Sequence, residues 1–148
     1  MENQNQIANI KKMSWIFWFS FLAAIFIYTY IVYTLSNVPS QDLSPVSSTM
    51  KNVFYVLSII SAIISLFVVD RVFKSKFDKQ NQTTQIDKYE ALKLYYTYFI
   101  IKLAFAESIV VFGLVLSFMG SEKMSIFLPF AIFSSLVLLF NRPKETNI

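Results

Sequence analysis

The chain has 148 residues, of which 55% are hydrophobic and only 15% charged, and 13 Lys and Arg against 9 Asp and Glu give a net charge of +4. Soluble domains carry roughly 25% charged residues. Because there is no Cys or His, thiol nucleophiles, disulfides, the usual zinc sites and Ser-His-Asp triads are excluded. We therefore predict a protein that is not an enzyme and holds no metal or cofactor.

Four apolar segments follow one another along the chain, at residues 13–35, 52–69, 95–119 and 124–140. The first has 23 residues without a charge, enough to cross a hydrocarbon core of about 30 Å. A cleaved signal peptide is the alternative interpretation of this segment, but it is longer than such apolar regions and no small-x-small site follows it. The pattern predicts one all-α membrane domain over residues 1–148, with four transmembrane helices in an antiparallel bundle.

Basic residues between the segments predict the orientation. The N-terminal tail contains two, the 71–93 segment six and the C-terminal tail two, whereas the other two loops contain only Lys51 and Lys123. Because basic residues are enriched in cytoplasmic loops, both termini and the 71–93 loop are expected in the cytoplasm. The basic residues flank apolar segments and form no soluble basic face, so nucleic acid is not an expected partner. We expect a multi-pass protein of the bacterial inner membrane, in contact with the lipid bilayer, whose second and third helices extend into the cytoplasm.

Glu107 is the acidic residue within the third segment. It follows Tyr95 by 12 positions, about 18 Å along a helix and near the centre of the bilayer. An acidic side chain there costs on the order of 2.5–3.5 kcal/mol, so we expect it to point into the bundle and to be neutral or paired. Two interpretations stay open: an ion or proton carrier, and a hydrogen bond between helices.

Lys102 is the second charge of this segment, five positions before Glu107. Five residues correspond to a rotation of about 140° around a helix, so the two side chains do not share a face. Lys102 either extends its ammonium group to the nearby membrane surface or pairs with an acid on a neighbouring helix or subunit.

Small residues mark two candidate packing surfaces. In the second segment they form a stripe of Ser58, Ser61, Ala62 and Ser65. In the third segment they are Ala104, Ser108 and Gly113. Small side chains allow membrane helices to approach closely, so both sets predict helix packing.

Several hydroxyl groups are candidate hydrogen-bond partners of Glu107. The alternative role of the serines is that one of them bonds to this acid. Further candidates in the first segment are Tyr28, Thr29 and Tyr30, among which the sequence does not choose.

Residues 105–115 have the sequence FAESIVVFGLV. This stretch resembles the ion-carrying helix of the subunit c, or proteolipid, family of rotary ATPases, in which an acid preceded by Ala is followed by an aromatic-Gly-Leu-Val group. The resemblance implies that Glu107 is the proton- or sodium-binding carboxylate and that Gly113 and Leu114 are the Gly-Leu pair. The overall layout also resembles small four-span proteins of the bacterial inner membrane.

Two functions are consistent with these features. The first is a structural or accessory subunit of a membrane assembly, or a homo-oligomer, whose basic cytoplasmic loop binds an acidic partner or anionic lipid. The second is an ion- or proton-translocating component that uses Glu107 as a carboxylate within the membrane.

Overall fold

The computed structural model of the protein describes residues 2–37, 44–83 and 88–143, and every regular element in these ranges is a helix. In chain order the elements are α1 (Glu2–Ser36), α2 (Ser48–Ile63), a π-helical turn (Ile64–Val68), α3 (Val69–Thr83), α4 (Lys88–Met119) and α5 (Lys123–Phe140). The π turn joins α2 to α3 without a break in the helix.

Four stretches are long and apolar enough to cross a membrane: Ile7–Ser36, Ser48–Gln80, Tyr89–Met119 and Lys123–Phe140. The prediction of an all-helical protein with four membrane-length helices is therefore confirmed. Each of the first three stretches is longer than its apolar segment, because helical structure continues into the polar flanking residues.

The predicted 71–93 loop is mostly helical. Helix α3 continues to Thr83 and α4 begins at Lys88, so both sides of this segment extend the neighbouring spans. Residues 84–87 lie outside the described residues.

Capping and a short turn set two of the helix boundaries. The Ser47 hydroxyl accepts a hydrogen bond from the Met50 amide, 3.3 Å away, and so begins α2, as expected for a serine N-cap. Between α4 and α5 lie only residues 120–122. Gly120 is required in this turn because a Cβ there would overlap the Val46 side chain.

Helix α4 is the centre of the structure. It packs against α1, α2, α3 and α5, whereas α1 and α2 make no contact with each other within the described ranges. The closest packing joins α4 to α5, because a Cβ at Gly113 would lie 2.5 Å from the Phe130 Cβ. The largest fully buried side chains come from these two helices: Phe127, Phe130, Leu103, Ile109, Leu116 and Leu138.

Candidate functional site

The π turn places Ser65 at the junction of three helices. Its side chain is fully buried, and its hydroxyl donates to the Lys102 carbonyl of α4 at 2.8 Å and accepts from the Asn141 Nδ2 at 2.7 Å. Asn141 directly follows α5 and is itself buried. Turns of this type are often found at functional sites, and here Ser65 connects the second, third and fourth spans.

Lys102 is paired with an acid of a neighbouring helix. Its Nζ donates to both carboxylate oxygens of Asp70, each at 2.9 Å. Asp70 lies in the first turn of α3 and its side chain is 60% exposed, against 17% for Lys102. Of the two interpretations of Lys102, pairing is the one observed. We name the set Lys102, Asp70, Ser65 and Asn141 the first polar layer.

A cavity of about 130 Å³ adjoins this layer. Its polar wall comprises Lys102, Asp70, Asn141 and Arg142. The aromatic side chains that line it are Phe73, Tyr95, Tyr98, Phe99 and Phe140. Two cations, one anion and an amide therefore border a small aromatic chamber, which can accommodate a small anionic group.

Glu107 links α4 to α1. The Tyr28 hydroxyl donates to Glu107 Oε1 at 3.1 Å, and the carboxylic side chain is only partly buried. The two neighbouring candidates do not bond to Glu107. The Thr29 hydroxyl donates to the Ile25 carbonyl of its own helix, and the Tyr30 side chain is exposed. Tyr28 is therefore the hydrogen-bond partner of Glu107 in the described part of the chain.

The predicted serines make other hydrogen bonds. Ser58 donates to the Phe54 carbonyl at 2.8 Å and Ser108 to the Phe105 carbonyl at 2.7 Å, both within their own helices. Ser61 is buried with Ser58 and Ala62 on the side of α2 that faces the other helices, and Ser65 of the π turn continues this side. The stripe therefore lies at a helix contact, and none of its described hydrogen bonds reaches Glu107.

Ala104 does not lie on the packed side of α4 within the described chain. It is exposed, whereas Ala106 and Gly113 are buried. Two residues along a helix correspond to about 200° of rotation, so Ala104 and Ala106 lie on nearly opposite sides of α4. Ala104 therefore lies outside the contact with α5, which Ala106 occupies, and its predicted packing role is left to a helix from outside the chain.

Three contacts between helices were not foreseen from the sequence. Trp18 Nε1 donates to the Leu138 carbonyl at 2.9 Å, and the Ser134 hydroxyl donates to the Ala106 carbonyl at 2.7 Å. At the other end, Lys123 Nζ donates to the Leu35 carbonyl at 3.0 Å. All three acceptors are backbone carbonyls, which any residue carries, so no sequence signal marks them.

No protein family, no curated protein and no solved structure matches this chain. Among the described residues, no group of three acidic side chains is arranged to hold a metal ion. The interpretation of the polar layer, the cavity and the Tyr28–Glu107 contact therefore rests on their own geometry.

Proposed function

We propose that the protein is a structural or accessory subunit of a membrane assembly, or a homo-oligomer, built as an antiparallel four-helix bundle with both termini in the cytoplasm. The observation that carries this proposal is a face of α4, between α1 and α2, that no other helix of the described chain covers. The order of contacts, the polar layers and the Tyr28–Glu107 hydrogen bond support it.

The contacts of α1 with α4 support a common direction for these two helices. The Phe17 and Tyr96 rings are 6.0 Å apart, and further along both helices Tyr28 bonds to Glu107. Residue numbers therefore increase together, as expected when one span separates two spans of the same direction.

The contacts of α2 with α4 support opposite directions. The Phe54 and Phe112 rings are 5.8 Å apart, whereas Ser65, further along the chain, bonds to the earlier Lys102. Helix α5 likewise places Phe130 against Gly113 of α4, and its later residue Ser134 against the earlier Ala106. These orders are the ones that an up-down-up-down bundle produces.

Two polar layers support a position for the membrane. The first polar layer lies at one end, and at the other end Lys51 pairs with Glu122 at 3.2 Å. From Lys102 to Met119 the rise is about 26 Å, and α5 has the same length, close to the roughly 30 Å of a hydrocarbon core. The Lys102 end also holds most of the basic residues, which favours the cytoplasmic side.

This position changes the expected depth of Glu107. It lies about 8 Å along α4 from Lys102 and about 18 Å from Met119. Glu107 therefore lies about 5 Å to the cytoplasmic side of the midpoint of this stretch, slightly off the bilayer centre that the sequence predicts. The hydrogen bond from Tyr28, rather than the depth, favours a contact between helices over a carrier of ions through the membrane.

The open face of α4 lies between α1 and α2, which make no contact with each other in the described ranges. The exposed α4 residues on this face include Ile101, Ala104, Val115 and Phe118. Ser108 follows Ala104 by four positions and is only partly buried. Small residues at this spacing allow another membrane helix to approach closely. A helix from a second copy or from another subunit fits this face.

Blocking the face tests the proposal. Ala104→Trp fills it, and Ile132→Trp on the exposed side of α5 is the matched control. Light scattering of the protein in nanodiscs measures the assembled mass. We expect wild type and the control to form the same complex and Ala104→Trp to dissociate into monomers. A monomeric wild type without a bound subunit would contradict the proposal.

A second candidate is an ion- or proton-translocating component. The observation that favours it is that Glu107 is a partly exposed acid within a span, and that among the described residues only Oε1 is engaged in a hydrogen bond. The similarity of residues 105–115 to the subunit c helix also supports this candidate. A carboxyl-directed carbodiimide should then label Glu107 in membranes.

Glu107→Gln separates the two candidates, because the amide oxygen of Gln still accepts a hydrogen bond from Tyr28. For a structural role, this variant assembles and functions as wild type does, whereas Glu107→Leu loses the contact. For translocation, Glu107→Gln assembles normally but abolishes ion flux in proteoliposomes. Selective loss of flux with intact assembly would overturn the structural role.

A further inference from the structure

We propose that the cavity beside the first polar layer binds the phosphate headgroup of an anionic phospholipid. This inference concerns a site separate from Glu107 and from the open face of α4, and it holds whether the protein is a subunit or a carrier.

The charges around the cavity favour an anion. Lys102 is already paired with Asp70, so these two side chains are neutral together. Arg142 is exposed, and no carboxylate of the described residues lies within ion-pairing distance of it. Arg142 therefore borders the chamber without a paired carboxylate among the described residues. Arginine binds phosphate oxygens through two parallel hydrogen bonds, which matches the single charge of a phosphodiester.

The size of the cavity favours a headgroup over a whole molecule. Its volume of about 130 Å³ is well below the roughly 300–1,000 Å³ of pockets that enclose drug-sized ligands. Its wall is also preformed, because Asn141 is buried and held by its hydrogen bond to Ser65. A compact polar group fits such a chamber, while the remainder of the ligand lies outside.

The position of the cavity favours lipid as the source of the phosphate. Phe140 lines the chamber and is 72% exposed, and Phe67 on the neighbouring π turn is 68% exposed. The chamber therefore borders apolar surface on which acyl chains can lie. It is also at the level where α5 ends and where tyrosines cluster, as at a membrane interface. Basic pockets between helices at this level are suited to anionic headgroups.

Binding of defined lipids to the delipidated full-length protein in detergent tests the proposal by native mass spectrometry. Phosphatidylglycerol is compared with phosphatidylcholine of identical acyl chains. We expect wild type to retain phosphatidylglycerol preferentially. Removing one cation near the headgroup corresponds to a loss of about fivefold in affinity, so Arg142→Gln should weaken phosphatidylglycerol binding by that factor.

Lys74→Gln is the matched control, because Lys74 is an exposed cation of α3 that does not line the cavity. It should leave binding unchanged. Inorganic phosphate, added at the same concentration as the lipid, should not displace phosphatidylglycerol.

Three results would overturn the proposal. Equal retention of the two lipids would show that the site does not recognise the anion. Equal losses in Arg142→Gln and Lys74→Gln would assign the binding to general surface charge. Displacement by inorganic phosphate alone would make the cavity a site for a soluble anion.

Discussion

Both ends of the helices hold an ion pair of similar exposure, but the first polar layer adds hydrogen-bonding groups that are buried. In the first polar layer, Ser65 and Asn141 are buried and connect three helices. At the opposite end, Lys51 and Glu122 form an ion pair whose side chains are 28% and 53% exposed. Buried groups have no water to replace a lost hydrogen bond. Loss of a contact should therefore lower the free energy of unfolding more in the first polar layer than at the exposed Lys51–Glu122 pair. The two ends therefore contribute unequally to stability.

Between these ends, the helices are joined mainly by close side-chain packing. Gly113 of α4 faces Phe130 of α5 so closely that no Cβ fits between them. The loss of unfolding free energy on substitution in this middle region is the reference with which the losses at the two ends are compared.

The largest effect is expected in this middle region. Gly113→Leu forces α4 and α5 apart, and overpacking of this kind costs about 3 kcal/mol of unfolding free energy. Unfolding by SDS titration in mixed micelles measures the loss. Ile132→Leu, at an exposed site on α5, should leave the midpoint unchanged. If Gly113→Leu were tolerated equally well, the close contact with Phe130 would not exist.

A smaller effect is expected in the first polar layer. Ser65→Ala removes the hydrogen bonds to the Lys102 carbonyl and from Asn141, and buried contacts between membrane helices contribute about 1–2 kcal/mol. Ser58→Ala is the control, because Ser58 is also buried but bonds only within its own helix. The same titration should show the greater loss for Ser65→Ala. Equal losses would mean that this layer does not hold the helices together.

The smallest effect is expected at the opposite end. Lys51→Gln breaks the pair with Glu122, and exposed pairs of this kind contribute about 0–1 kcal/mol. The unfolding midpoint should move little, and salt should reduce even that shift because exposed charges are screened. A loss as great as that of Ser65→Ala would remove the contrast between the two ends.

The number and approximate positions of the spans were predictable because long apolar segments have few alternative structures. The helical extensions on both sides of the 71–93 segment also followed from the sequence. The π turn did not, because Ile64–Val68 has the composition of an ordinary apolar helix. Its inward placement of Ser65 is a property of the assembled bundle.

The side-chain contacts were less predictable. Lys102 was recognised as a candidate for pairing, but its acid, Asp70, lies 32 residues earlier and on another helix. Tyr28 was one of three candidates for Glu107 in the first segment, beside the serines of the other segments, and only the arrangement of the helices distinguishes it. The sequence did not show that Ala104 and Gly113 lie on different sides of the bundle, because α4 is apolar on nearly all sides and its sequence does not distinguish a packed face from an open one.

Cross-linking of single cysteines in native membranes tests the proposed assembly most directly, since the chain has no cysteine of its own. Ala104→Cys lies on the open face of α4, and Ile132→Cys lies on the exposed side of α5. With a benzophenone maleimide attached and light applied, Ala104→Cys should yield a discrete product with a second copy or one partner subunit, whereas Ile132→Cys should not. If neither position cross-linked to protein, or if both did so equally, the open face would not be an assembly surface.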